Sequence, residues 1–254
     1  MKNKYVNFIT DDHLFDCVGN LHKAYLKAKN NITKKNFYSN KVDTIKLTFD
    51  ANFNDMDEEN LIRSEILRQI DKSINNSIGT FHEQILGGIK GFEAGNLSGY
   101  DIKAKDDTLF ADIKNKHNTM NSSAAEALFQ KLARYANDYK KAKCYWVQIL
   151  AKGSFCELWS GDINGKEYSH SRVYKISGDQ FYSLLSGQDD AMFQLYKALP
   201  IAIKEYLKYS EQNQEIAENS ALDEIKSKTK RSKRSILDQI TFENYSYYLG
   251  FDKL

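Results

Sequence analysis

The chain has 254 residues, 41% of them hydrophobic and 28% charged, and a formal net charge of +2. That length buries a substantial core, that composition is the balance of an ordinary soluble globular protein, and that net charge alone does not announce a polyanion partner. No run of about 18 uncharged apolar residues offers a membrane span, and Met1-Lys2-Asn3-Lys4-Tyr5 runs on toward acidic Asp11 and Asp12 rather than an apolar signal core, so a cytoplasmic location is expected.

Cys17, Cys144 and Cys156 form no CxxC pair. Free thiols are expected, with Cys144 and Cys156 packed in apolar strands. The histidines show no zinc-ligand spacing. Two basic stretches stand out, Lys23 to Lys35 and Lys226 to Arg234, each readable as a solvated helix face or as a contact for nucleic acid.

In chain order, Leu14, Val18, Leu21 and Tyr25 recur at helical spacing behind Thr10-Asp11-Asp12. Leu61, Ile66, Ile70, Ile74 and Ile78 do so after Asp57, and a short further helix over Phe81 to Ile89 carries Glu83. Gly87, Gly88, Gly91, Gly95 and Gly99 then break the helical period. Ser123-Ala124-Ala125-Glu126 has the capping-box pattern and opens a helix through Leu128, Leu132, Tyr135 and Tyr139. Tyr145 to Leu150 reads as a buried strand, and Asn164-Gly165 as the type I′ turn of a hairpin between Leu158–Ile163 and Lys166–Ile176. Helices over 178–187, 190–209 and a basic 221–240 complete a single domain, 1–254. It has a mainly helical part at 1–80, a catalytic core at 81–151, and a second hairpin with helices at 152–254.

The segment from Asp101 to Lys114 alternates. Ile102, Ala104, Leu109, Ala111 and Ile113 fall on one face, and Asp101, Lys103, Lys105, Thr108, Asp112 and Lys114 on the other, which predicts a hairpin with one buried face. A two-residue turn at Asp106-Asp107 places Asp101 opposite Asp112. Facing carboxylates repel, and a divalent cation between them removes the conflict. Mg²⁺ commonly takes only one or two carboxylates beside water and substrate phosphate, so the pair is a sufficient protein contribution, with the Ile113 carbonyl as a further ligand. Lys114, on the same face, can orient a metal-bound water and offset charge on a phosphate undergoing attack. Glu83 is a candidate to hold a metal-bound water. The competing reading is an exposed hairpin with scattered charges.

Asp101, then Asp112-Ile113-Lys114, in the order helix, strand, strand, helix, strand, resembles the PD-(D/E)xK nuclease superfamily, with Tyr100 where the motif's name has proline. The fold this implies is α/β: a restriction-endonuclease-like core of helix, mixed sheet with a catalytic hairpin, helix and strand, with added helices. Phe81-His82-Glu83-Gln84, Gly99-Tyr100-Asp101 and Lys114 to Asn121 further resemble type II restriction endonucleases that cut the palindrome GGNCC. That resemblance implies Mg²⁺-dependent hydrolysis of both strands of DNA to leave 5′-phosphates, and a cognate DNA methyltransferase in the same system.

A palindrome is most simply read by a homodimer, one half-site per subunit. Candidates for DNA contact are Lys116, His117, Asn118 and Asn121 after the catalytic strand, and His170 and Arg172 on the second hairpin. Lys230 and Arg231 are candidates for phosphate contact. A structure-specific repair or recombination nuclease, or a non-catalytic DNA-binding protein, are the alternative readings. No nucleotide-binding glycine loop, GxSxG elbow or Cys-His pair competes for the chemistry.

Overall fold

The computed structural model describes residues 3–30, 34–95, 99–118, 120–210 and 220–246. In chain order it holds α1 (Asp11–Asn30), α2 (Lys34–Ser39), α3 (Thr44–Phe53), α4 (Glu58–Gly87), β1 (Phe92–Ala94), β2 (Ile102–Ala104), β3 (Leu109–Lys116), α5 (Ser122–Asp138), β4 (Lys143–Leu150), β5 (Cys156–Ile163), β6 (Lys166–Ser177), α6 (Gly178–Ser186), α7 (Ala191–Tyr209), α8 (Ser220–Ser232) and α9 (Ile236–Tyr245). The fold is mixed α/β. No helix among the described residues is long and apolar enough to cross a membrane.

The six strands form one sheet in the order β1-β2-β3-β4-β6-β5. β3, β4 and β6 run parallel to their neighbours in the centre, and the β1-β2-β3 and β5-β6 pairs are antiparallel. Side chains alternate across this sheet, so each face needs its own cover. Leu109, Ala111 and Ile113 of β3 and Tyr145, Val147 and Ile149 of β4 join a core with α1, the end of α4, α6 and α7. Phe110 and Cys144 turn the other way and pack with Leu128, Phe129, Leu132 and Ala136 of α5.

The expected hairpin with one buried face is therefore corrected. β3 is buried on both faces from Leu109 through Ile113, because α5 covers the face that alternation assigned to polar residues. Its connection is also longer than a two-residue turn and spans 105–108: Asp107 N–H donates to the Ala104 carbonyl (2.9 Å), and Asp107 sits at φ 61°. Asp106 Oδ1 accepts from the backbone N–H (3.2 Å) and hydroxyl (2.6 Å) of Thr108, local bonding that a tight two-residue turn does not use. The second hairpin turns as expected, Ile163 opposite Lys166, with Asn164 at φ 59° and Gly165 at φ 77°.

Three helix boundaries differ from the periodicity. The segments around Leu61–Ile78 and Phe81–Ile89 are one helix, α4, which runs through Gly79, where a Cβ would meet nothing within 4 Å. The basic C-terminal helix is two, α8 and α9, parted at Lys233 (φ 56°) and restarted by Ser235, whose side chain accepts from Asp238 N–H (3.0 Å). At α5 the cap is Asn121, two residues before Ser123, accepting from Ala124 N–H (2.9 Å). Of the cysteines, all free, Cys144 and Cys17 are buried, but Cys156, expected to be packed, is exposed on the edge strand β5.

The chain packs as two compact units. One unit holds the described residues of 1–21 and 78–212, with the whole sheet, and the other those of 22–77 and 213–254. The second has its own all-helical core: Phe37, Val42, Leu47, Leu61, Ile62 and Ile66 pack with Leu222, Ile225, Ile236 and Ile240, so the C-terminal helices belong with residues from the first third of the chain.

Candidate active site

β2 and β3 pair in the register the sequence implies, Ile102 opposite Ala111 and Lys103 opposite Phe110. One residue earlier the ladder shifts. Asp101 N–H donates to the Ala111 carbonyl (2.9 Å), and the Asp101 carbonyl accepts from Gly95 N–H (2.9 Å). Asp101 and Asp112 are thus not a regular cross-strand pair; the Asp101 carboxylate instead bends across the strand and accepts the Ile113 N–H through Oδ2 (2.6 Å). That bond fixes the side chain beside the carboxylate-bearing residue of β3.

Gly95 makes the close approach possible. A Cβ there would lie 2.0 Å from the Tyr100 carbonyl oxygen, so backbone would have to move at the residue before Asp101. Gly95→Ala is expected to cost about 1–3 kcal/mol by this overpacking. It should also speed hydrogen exchange of the Ile113 amide, and exchange as slow as in the wild type would show that Asp101 keeps its place without the glycine.

Asp112 lies on the α5 face of β3 and is only 4% exposed. Its two carboxylate oxygens are bound separately: Oδ1 by the Lys114 ammonium and Oδ2 by that of Lys131, which reaches in from α5. Gln148 of β4, also buried, is the ladder neighbour of Lys114. Glu83, half-buried near the end of α4, completes an electrostatic group. Burial raises its pKa, the charges of Asp101 and Asp112 raise it further, and Lys114 pulls it down. Burial likewise raises the Asp101 pKa, with Asp112 acting in the same direction and the Ile113 N–H, Lys114 and Lys131 opposing. Three carboxyls thus feel one another with two ammonium groups among them, an acidic excess that suits a bound cation.

Among the described residues no three His, Cys, Asp or Glu side chains converge as a ready-made metal cage. Two carboxylates beside solvent and substrate oxygens are nonetheless what Mg²⁺ commonly uses, so Asp101 and Asp112 fit the ion. His82, beside Glu83, has its Nδ1 2.9 Å from the Tyr182 hydroxyl, and burial lowers its pKa to about 4.

The raised carboxyl pKa values have a measurable consequence. A carboxyl that binds its proton more tightly folded than unfolded favours the folded state below the ordinary carboxylate range, and loses that contribution as pH rises through the raised folded value. With a chelator present, the stability difference between wild type and Asp101→Asn is therefore expected to shift toward the variant as pH rises across that window. Denaturant midpoints that move in parallel would show that Asp101 does not carry the dependence.

The other candidates are more dispersed. Lys116 ends β3 exposed; His117 follows, its Nδ1 3.2 Å from the Leu150 carbonyl; Asn118 is exposed; the Asn121 side chain caps α5. Thr119, inside the segment that carries the resemblance, lies outside the described residues. His170 Nε2 is 3.2 Å from Asn137 Oδ1, and Arg172 Nη1 donates to the carbonyls of Tyr139 (3.0 Å), Lys140 (2.5 Å) and Ala142 (3.3 Å), tying β6 to the end of α5. Lys230 and Arg231 are exposed at the end of α8 in the other compact unit. Within the same basic stretch Lys226 pairs with Glu59 and Lys228 with Glu243, so only part of its charge faces solvent.

Lys131 is what the sequence reading missed. It stands seventeen residues past Lys114, on another element, with no spacing that marks it.

A family model described as Eco47II restriction endonuclease matches residues 6–208, a span that contains Glu83, Asp101, Asp112, Lys114 and Lys131. The type II restriction enzyme Sau96I of Staphylococcus aureus is 38% identical over 265 aligned positions, covering 99% of this chain and 100% of that protein. The type II restriction enzyme Eco47II of Escherichia coli is 29% identical over 210 positions, covering 78% of this chain and 87% of its own. With one relative aligned end to end and the family model spanning the whole constellation around Asp112, the chain belongs to the Eco47II restriction endonuclease family and is a site-specific deoxyribonuclease.

Proposed function

We propose that this nuclease is a PD-(D/E)xK enzyme that hydrolyses both strands of duplex DNA at GGNCC with Mg²⁺ held by Asp101 and Asp112, leaving 5′-phosphates. The observation that carries the reading is the buried Asp112 carboxylate beside Asp101, with Lys114 on one of its oxygens. Mg²⁺ supplies Lewis acidity and a more acidic bound water when present.

The chain's own groups do the rest. Asp101 is aimed by the Ile113 N–H, Asp112 is fixed by ammonium groups on both oxygens, and Lys114 presents positive charge where negative charge builds on the phosphate. Water oxygen bonds to phosphorus, the bond from phosphorus to the 3′ oxygen breaks, and the product ends are a 5′-phosphate and a 3′-hydroxyl. With the cation bound, the Ile113 carbonyl would be a further ligand, and Glu83 would hold a water beside it.

The palindrome is read by a homodimer, and the cognate methyltransferase is a separate protein of the same system. Lys116, His117 and Asn118 lie where β3 runs out toward α5 and are the first candidates for base or phosphate contact. His170 and Arg172 have protein partners at hand, so their part in DNA contact rests on the face they share rather than on open side chains. Lys230 and Arg231 contribute phosphate contacts that set affinity without sequence preference.

Incubation with a long duplex of known sequence and Mg²⁺ is the test. Discrete fragments whose ends map to GGNCC, with 5′-phosphates, are expected. Cuts confined to junctions or nicks would favour a structure-specific nuclease instead, and no cutting would favour a DNA-binding protein.

A further inference from the structure

Lys131 stands outside the catalytic motif, yet it takes half of the motif's most buried carboxylate. Its side chain is 29% exposed against 6% for that of Asp112, and it comes from α5, the helix that covers this face of the sheet. A carboxylate so buried needs its charge balanced, and Lys114 reaches only Oδ1. Lys131 supplies the balance at Oδ2 from a long, flexible stem that still has access to solvent.

Resting on the reading of Asp101 and Asp112 as the metal site, we propose that Lys131 is a built-in counter-ion: its ammonium holds Asp112 Oδ2 in the metal-free protein and gives that oxygen up when a divalent cation binds. Lys131 is in this sense a positioning residue. It balances the charge of the carboxylate and aims it before the cation arrives, and it competes with the cation for the same oxygen. The competition is a thermodynamic cycle. Whatever Lys131 contributes to the stability of the metal-free protein is forfeited on binding, so the cation binds the more tightly where the ammonium is missing.

The experiment uses the full chain without DNA and Ca²⁺, a hard oxygen-seeking cation, as the probe. Lys131→Met keeps the stem and removes the charge. It is expected to lower the thermal midpoint in chelator, to recover toward the wild-type midpoint at saturating Ca²⁺, and to bind Ca²⁺ about tenfold more tightly by calorimetry, the order expected of removing a nearby partly solvated charge. Lys131→Arg, which keeps the charge, should stay near the wild type in both.

A purely structural lysine behaves otherwise: the stability gap would be the same with and without Ca²⁺, and the affinity unchanged or weaker. That result overturns the inference. Should Lys131→Met not fold, Lys131→Gln, which keeps a donor toward Oδ2 without charge, carries the same two readouts. Failure of the site itself looks different. If the wild type takes up no Ca²⁺ and Asp112→Asn still cuts DNA, the metal site falls and this inference with it. If the wild type binds Ca²⁺, Asp112→Asn is inactive and Lys131→Met shows an unchanged gap, only the role of Lys131 falls.

Discussion

Asp112→Asn is expected to cut DNA about 10³-fold more slowly than the wild type or worse, the scale on which losing one preorganised electrostatic element slows an enzyme. The amide keeps the shape of the carboxylate but not its charge. It offers a metal one weak oxygen in place of an anion, and it meets one of the two ammonium groups, Lys114 or Lys131, with a donor where both had an acceptor.

The same substitution carries a stability cost. Breaking a buried ion pair by removing one partner costs about 3–5 kcal/mol, and because both lysines keep some access to water the low end of that range or less is expected. Cleavage rates should therefore be read beside a melting curve, at a temperature where the variant is folded. Folded Asp112→Asn protein cutting within about tenfold of the wild-type rate would sink the assignment of this carboxylate, since metal-assisted attack cannot do without its ligand. DNA affinity without cutting should survive, because Lys230, Arg231 and the exposed Lys116 are untouched.

Asp112 and Lys114 were legible in the sequence because β structure has a period of two, and a charged pair two residues apart interrupting the polar face of an alternating segment is visible without any coordinates. Asp101 was legible for the same reason, though its position rests on a side-chain bond to Ile113 and a local shift of the ladder, which spacing does not encode. Lys131 was not legible. One lysine on an amphipathic helix is indistinguishable from any solvated one until the helix is laid on a sheet.

Helix limits failed where local signals misled. Periodicity read two helices on either side of Gly79, but its open surroundings let one helix continue; Ser235 supplied a cap that divided what periodicity joined. The helices of 22–77 and of the C-terminal segment each read as amphipathic. Nothing local said that their apolar faces meet, because that contact joins residues well over a hundred positions apart.

Phe110 lies two residues before Asp112 on the α5 face of β3, and its removal has the largest expected effect on folding. In the structure it is 1% exposed, its ring stacked on Tyr135 (centroids 4.8 Å apart, planes 5° apart), tilted against Tyr139 at 4.7 Å and edge-on to Tyr100 at 5.7 Å. Phe110→Ala would empty that volume beneath α5 and forfeit the ring contacts, for which a loss of about 3–5 kcal/mol is expected.

Both tryptophans of the chain, Trp146 and Trp159, pack in this same cluster, so their fluorescence follows this core rather than the separate helical one. A fluorescence-detected thermal midpoint should fall by about 2–4 °C for each kcal/mol lost. The two compact units make a single two-state fit unsafe, so the midpoint of the tryptophan signal is the quantity to compare. Phe110→Leu, which refills much of the space, should recover part of the loss. The consequence reaches the chemistry as well: α5 is the helix that brings Lys131 to Asp112, and a cavity under it loosens the hold on that carboxylate. A midpoint for Phe110→Ala within about 2 °C of the wild type, the shift expected of less than one kcal/mol in a unit this size, would mean that α5 is held to the sheet by other contacts and that the aromatic cluster is not what fixes the site.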